Sequence, residues 1–299
     1  MFHKGKIRLM KQWVIAILAA IAYSATAEII ELRTKNASCR IDLNGARMLS
    51  FRVGGDELLW NDNPPQTRAR DWAHGGIPVC WPRFGVDESG AIHGGAWRRE
   101  FAVKSRNDDS ARAEVLLFLE EGPARLEYSI VLTDALTLEI TTVNFGTNDF
   151  ACSFGIHPYL RVAEREKSTV EGIDGLSFED DPSRPKPERG VWHGSLQLTD
   201  SIDRIFRLQG AEAFVLHDPL RRLAITVECE GASHLNIWNP GPEKLCPGVV
   251  PGDEWRRFVC VEPIFVGGAD GAPVPIPPGG RRSLKTTVRA HAAKRTCDK

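Results

Sequence analysis

The residues best suited by type to do chemistry are a histidine and a glutamate, each set in an apolar segment. Glu262 follows Phe258-Val259-Cys260-Val261 and precedes Pro263, and His157 lies within Phe154-Gly155-Ile156-His157-Pro158-Tyr159-Leu160. A carboxylate and an imidazole are the natural base and acid for proton transfer near neutral pH. Taken singly, each also suits a structural role: a satisfied core histidine, or a surface ion pair. Further polar groups recur in glycine-, proline- and aromatic-rich segments. His74 and Arg83 flank Gly75-Gly76-Ile77-Pro78-Val79-Cys80-Trp81-Pro82, and His93-Gly94-Gly95-Ala96-Trp97-Arg98-Arg99 follows. Asp203 opens Asp203-Arg204-Ile205-Phe206, and His234-Leu235-Asn236-Ile237-Trp238-Asn239-Pro240-Gly241 comes next. Aromatic platforms beside a few placed polar groups suit a sugar, which has apolar C–H faces and a polar rim.

Other chemistries have no motif to rest on. There is no P-loop, HExxH, GxSxG or strand-to-helix GxGxxG, so no nucleotide or redox cofactor is expected. The 8 histidines include no i, i+2 or i, i+4 pair, and no CxxC occurs, so no metal site is expected. The 7 cysteines are an odd number, which leaves at least one thiol unpaired in a monomer. A net charge of −1 argues against a nucleic-acid partner.

The elements that must position these residues read as strands. Apolar residues alternate at Ala113, Val115, Leu117 and Leu119, and at Leu126, Tyr128, Ile130 and Leu132. They alternate again at Leu136, Leu138 and Ile140, and at Leu223, Ile225, Val227 and Cys229. Period-2 runs separated by glycine and proline turns predict an all-β protein, a large antiparallel β-sandwich. Two stretches read as loops: 61–96, whose length and content mark it as functional, and 180–190, a charged proline-rich surface connector.

Taken together, GGIPVCWPRFG, IHPYL, TDSIDRIF, IWNPGPEK and FVCVEP resemble the hexose-6-phosphate mutarotases, relatives of the aldose 1-epimerases. The matching segments run in family order from about Trp60 to Glu262. The resemblance implies a cofactor-free interconversion of α and β anomers on one face of a sandwich. It implies His157 as general acid on the ring oxygen and Glu262 as general base on the anomeric hydroxyl, placed on opposite sides of the sugar. It implies Asp203 and His93 as sugar-binding residues. The family's phosphate arginines fall at His74 and Trp97 in this chain, so Arg83, Arg98 or Arg99 are the guanidinium groups left to serve a phosphate. Two other readings of the same pocket are a non-catalytic carbohydrate-binding protein and a glycoside hydrolase using Asp203 and Glu262.

The ends stand apart. Lys4, Lys6, Arg8 and Lys11 precede an uncharged apolar run, Trp13 to Tyr23, and then Ala25-Thr26-Ala27. This is the pattern of a secretory signal peptide, expected over 1–27 with cleavage after Ala27, which predicts a periplasmic or secreted protein. The run is shorter than the roughly 20 residues a membrane span requires, so no stable membrane insertion is expected after cleavage. The sandwich domain is expected over 28–290, with a frayed tail over 291–299.

Overall fold

The computed structural model describes residues 28–61, 74–87, 89–180, 186–241, 250 and 252–292. The expected signal peptide therefore lies outside the described residues. So does the tail, apart from His291 and Ala292, which continue the last strand, Arg281–Ala292, past the expected domain boundary. Among the described residues there is no α-helix, and no helix is long and apolar enough to cross a membrane.

The all-β expectation holds. A nine-stranded sheet runs, in spatial order, Leu196–Gln197, Thr169–Glu171, Glu212–Asp218, Leu223–Glu230, Arg281–Ala292, Ala135–Asn144, Ala124–Leu132, Ala113–Glu121, Ala102–Asp108. An eight-stranded sheet runs Arg189–Val191, Ser177–Asp180, Ile202–Arg207, His234–Asn239, Phe258–Phe265, Phe154–Ile156, Val79–Cys80, with Tyr159–Arg161 also pairing on Phe258–Phe265. A four-stranded sheet at the N-terminal end, Ile29–Arg33 to Asp56–Glu57, covers one flank. All of these strand pairings are antiparallel, as short polar turns allow.

The predicted alternation is what joins the sheets. Ala124–Leu132 is buried at every second residue, and Leu126, Tyr128 and Ile130 enter one continuous core with Leu235, Ile237, Val259 and Val261 of the other sheet. Each such valine or leucine contributes roughly 2 kcal/mol through burial. The stretch 61–96 is largely irregular where described, but Val79–Cys80 adds an edge strand to the eight-stranded sheet. The stretch 180–190 has paired ends, because Ser177–Asp180 and Arg189–Val191 form a hairpin.

Candidate active site

The strand Phe258–Phe265 is buried on both faces. Its odd residues, Val259 and Val261, enter the core between the sheets, so Cys260, Glu262 and Ile264 point to the opposite face. Register carries the same face across the neighbouring strands. Glu262 lies opposite Asn236, which lies opposite Ile205; Cys260 lies opposite Trp238, which lies opposite Asp203. His157 reaches this face from the other side, directly after Phe154–Ile156, which is hydrogen-bonded between Phe258–Phe265 and Val79–Cys80. The first glycine-rich segment holds it there: His157 N donates to Pro78 O at 3.1 Å and Tyr159 N to Gly76 O at 2.9 Å. Two glycines are needed for this approach. Gly76 sits at φ +69°, and a Cβ there would lie 2.0 Å from Met48 O. A Cβ on Gly155 would lie 2.6 Å from Ile264 Cγ2.

His157 Nε2 lies 3.4 Å from Glu262 Oε1, with the glutamate fully buried and the imidazole nearly so. The two groups are therefore neighbours on one wall, where opposite sides of the sugar were expected. The physical reason is that Glu262 lies within Phe258–Phe265 and His157 directly follows Phe154–Ile156, the strand paired beside it in the same sheet. Tyr159 stacks on the His157 ring at 4.7 Å and 8°. The His93 ring meets His157 edge-on at 5.4 Å, and Trp238 meets it edge-on at 6.0 Å. His74 Nδ1 and the Tyr159 hydroxyl are hydrogen-bonded at 2.9 Å, and His74 stacks on Trp238. Asn236 Nδ2 donates a long bond of 3.5 Å to Glu262 Oε1. Glu262 Oε2 is buried and accepts no hydrogen bond from the described residues. A buried carboxylate oxygen without a donor is costly, and a ligand hydroxyl would satisfy it.

Burial, and then the negative charge of Asp203, raise the Glu262 carboxyl well above the usual carboxylate range. Burial, and then His93 and His74, hold His157 well below an ordinary imidazole. His93 is pushed down to about 3 by burial and by His74. Its Nδ1 accepts from Gly85 N at 3.1 Å, which leaves the ring proton on Nε2 as a donor. His74 is pushed down to about 4 by burial and by the charge of Arg47. The cluster therefore holds three neutral imidazoles at neutral pH.

Of the residues expected in the site, the structure brings together His157, Glu262, His93 and His74, with Asp203 one register step away on the same face. It places the two arginines differently. Arg98 is exposed on the short turn Ala96–Arg98, its guanidinium 4.2 Å above the Trp97 ring. Arg83 is half-buried beside Asp87, its Nε buried with no hydrogen-bond partner among the described residues. Trp97 is a wall residue, packed with Cys80, Phe84, Ile205 and Ile264, and its indole donates to Ile92 O and Gly94 O. Tyr159, Asn236, Trp238 and Cys260 join the site without having been singled out. The i, i+2 spacings Asn236/Trp238 and Cys260/Glu262 are the signal that would have found three of them. Local spacing also gave no metal site, yet His157, Cys260 and Glu262 offer ligand atoms all within 4.8 Å of one another. The five cysteines among the described residues, Cys39, Cys80, Cys152, Cys229 and Cys260, are free and buried; Cys246 and Cys297 lie outside them.

A large antiparallel sandwich with a buried imidazole–carboxylate pair between aromatic walls defines a class, the mutarotase-like enzymes. The aldose 1-epimerase family model matches residues 28–289, and the chain belongs to that family. It is accordingly an isomerase acting on a sugar. A Salmonella typhimurium protein provisionally named glucose-6-phosphate 1-epimerase is 31% identical over 237 residues, 75% of this chain and 78% of that protein. An Escherichia coli protein of the same provisional name is 30% identical over 236 residues, with 75% and 78% covered. The solved structure of a Salmonella typhimurium protein described as a mutarotase superposes with a TM-score of 0.77 at 24% identity, covering 90% of this chain and 92% of that one.

Proposed function

We propose that this chain interconverts the α and β anomers of a hexose 6-phosphate, with His157 and Glu262 as the acid–base pair. The observation that carries the acid–base assignment is the 3.4 Å contact between these two buried groups. Ring opening needs a proton removed from O1 and a proton delivered to the ring oxygen, and both oxygens are bonded to C1. Neighbouring groups on one wall can address both. Glu262 takes the O1 proton while His157 protonates the ring oxygen; the C1–O bond of the ring breaks and an aldehyde forms. Rotation about C1–C2 presents the other carbonyl face. The same two groups, with roles exchanged, return the protons as the ring closes. The pair carries one proton in total and alternates between a charged and a neutral tautomer, so no net proton is gained or lost. Asp203 and His93 bind sugar hydroxyls in this scheme, and the aromatic rings of Tyr159 and Trp238 wall the pocket.

The phosphate in this reading is supported by the names of the two curated relatives. A second reading, an unphosphorylated hexose, is favoured by His74, held neutral, and by Trp97, whose indole is committed to two carbonyls. Side-by-side kinetics on glucose, galactose and glucose 6-phosphate decide between them. A higher kcat/KM for the phosphate ester, with competition by inorganic phosphate, supports the first reading. Equal or better turnover of free sugar, indifferent to phosphate, supports the second. Binding without turnover of any of them would make the protein a carbohydrate-binding module, and release of reducing ends from a glycoside would make it a hydrolase. Export completes the proposal. It is supported by the leader-like pattern of residues 1–27 and by a family match that begins at Glu28. N-terminal sequencing of the mature protein tests it: a chain that begins at Glu28 supports it, and one that keeps residues 1–27 overturns it.

A further inference from the structure

We infer that His157, Cys260 and Glu262 form a zinc-binding site, at which a divalent zinc ion binds reversibly and blocks catalysis. Binding itself is independent of the functional reading; the block of catalysis rests on it. The side chains supply one nitrogen, one sulfur and one oxygen, all within 4.8 Å of one another and all buried. Cys260 and Glu262 share a face because they are two residues apart on Phe258–Phe265. His157 comes from a distant segment, and its Nε2 is already 3.4 Å from Glu262 Oε1. Ligand atoms on a tetrahedral zinc at Zn–S near 2.3 Å and Zn–N or Zn–O near 2.0–2.2 Å stand roughly 3.3–3.7 Å apart. The cluster therefore needs a contraction of about 1 Å along its widest edge, which side-chain rotation can supply.

The chemistry of the set selects the ion. A thiolate, an imidazole and a carboxylate suit a borderline-soft divalent metal and disfavour magnesium or calcium, which take oxygen ligands. Charge suits a divalent ion. Thiolate and carboxylate together cancel a +2 ion, so the loaded site is neutral, as a buried site needs to be. Cys260 and Glu262 release their protons to solvent on binding. Three protein ligands leave one tetrahedral position for water or a substrate hydroxyl. A zinc ion there takes an imidazole nitrogen of the proposed acid and a carboxylate oxygen of the proposed base, so the two can no longer share and exchange one proton.

Cobalt(II) reads this site directly, because a thiolate ligand gives it a charge-transfer absorption in the near ultraviolet. The full chain, in a non-thiol reductant, is titrated with cobalt(II) and then with zinc(II). The band is expected at one equivalent, displaced by zinc, and retained in a Cys246→Ser/Cys297→Ser double variant. Cys260→Ser, or Cys260→Ala if the serine variant does not fold, is expected to abolish the band. It should also weaken zinc binding by at least about tenfold, the loss that follows from removing even an outer-shell partner. A band that survives in the Cys260 variants, or no metal binding at all, overturns the site. Zinc is expected to inhibit anomer interconversion, and a chelator to restore it. Full turnover with the site saturated overturns the inhibition. A Cys260-dependent band in a protein without mutarotase turnover keeps the site and removes the proposed function.

Discussion

His157 Nε2 and Glu262 Oε1 face each other at 3.4 Å, both buried, with the rings of Tyr159, Trp238 and His93 against the imidazole. The two groups are close enough to share one proton and too far apart to lock it in a short hydrogen bond. Removing either partner leaves the other able to address only one of the two oxygens on C1. Glu262→Gln and His157→Ala are each expected to lower kcat by about 10²–10⁴-fold, the usual worth of a positioned acid or base. The double variant should lose little more than the worse single one, because the pair acts as a unit. Initial rates of anomer interconversion, followed by polarimetry, measure this. Full activity in both single variants would remove the assignment.

The same burial sets the pH profile. Depressing His157 means that a second proton joins the pair only at lower pH, and raising Glu262 means that the last proton leaves only at higher pH. The pair therefore keeps one proton across neutrality, and kcat/KM is expected to be flat there, with limbs that belong to the pair jointly. Asp203 contributes to raising Glu262, so Asp203→Asn should move the alkaline limb to lower pH. An alkaline limb unchanged in Asp203→Asn would show that burial alone sets it.

How much of this was legible in the sequence follows from periodicity. Alternation such as Leu126, Tyr128, Ile130, Leu132 records which face of a strand is buried, and those strands formed as read. His157, Glu262, His93 and His74 were visible because apolar or glycine-rich neighbours marked them. The contact between His157 and Glu262 was not visible, because it depends on the register of Phe154–Ile156 against Phe258–Phe265, and register is written in no single segment. For the same reason no local pattern signals that Cys260 meets His157. Arg98 shows another limit of local sequence. Its proximity to a motif histidine in sequence suggested a ligand, but a one-turn 3₁₀ segment carries it out over Trp97.

The pocket position where the resemblance implies an arginine gives a third prediction. His74 is uncharged near neutrality, since burial and Arg47 push it down to about 4. It offers a phosphate dianion no full charge in the free enzyme. His74→Arg should raise the ratio of kcat/KM for glucose 6-phosphate over glucose by about tenfold or more, the worth of one charge-assisted hydrogen bond. The ratio of initial rates on the two substrates reads this out. A ratio that does not move would place the phosphate-binding groups elsewhere.

The three buried imidazoles also make the fold sensitive to acid. His93 and His74 titrate at about 3 and about 4 when folded, and His157 well below its ordinary value, whereas an unfolded chain protonates histidine near pH 6.5. Below that pH the unfolded state binds more protons than the native one. The stability present above pH 6.5 is therefore lost as pH falls towards 4, at up to about 1.4 kcal/mol per pH unit for each histidine. Glu262 acts in the opposite sense, because its raised carboxyl stays protonated in the native state over this range; one such group offsets one of the three. The thermal midpoint is expected to drop steadily between pH 6.5 and pH 4.5. His93→Asn, which keeps an acceptor for Gly85 N and cannot titrate, should make that slope shallower. A midpoint that is constant over this range, or an unchanged slope in His93→Asn, would mean that these rings are protonated in the native state, and the neutral-imidazole account of the site would fall with it.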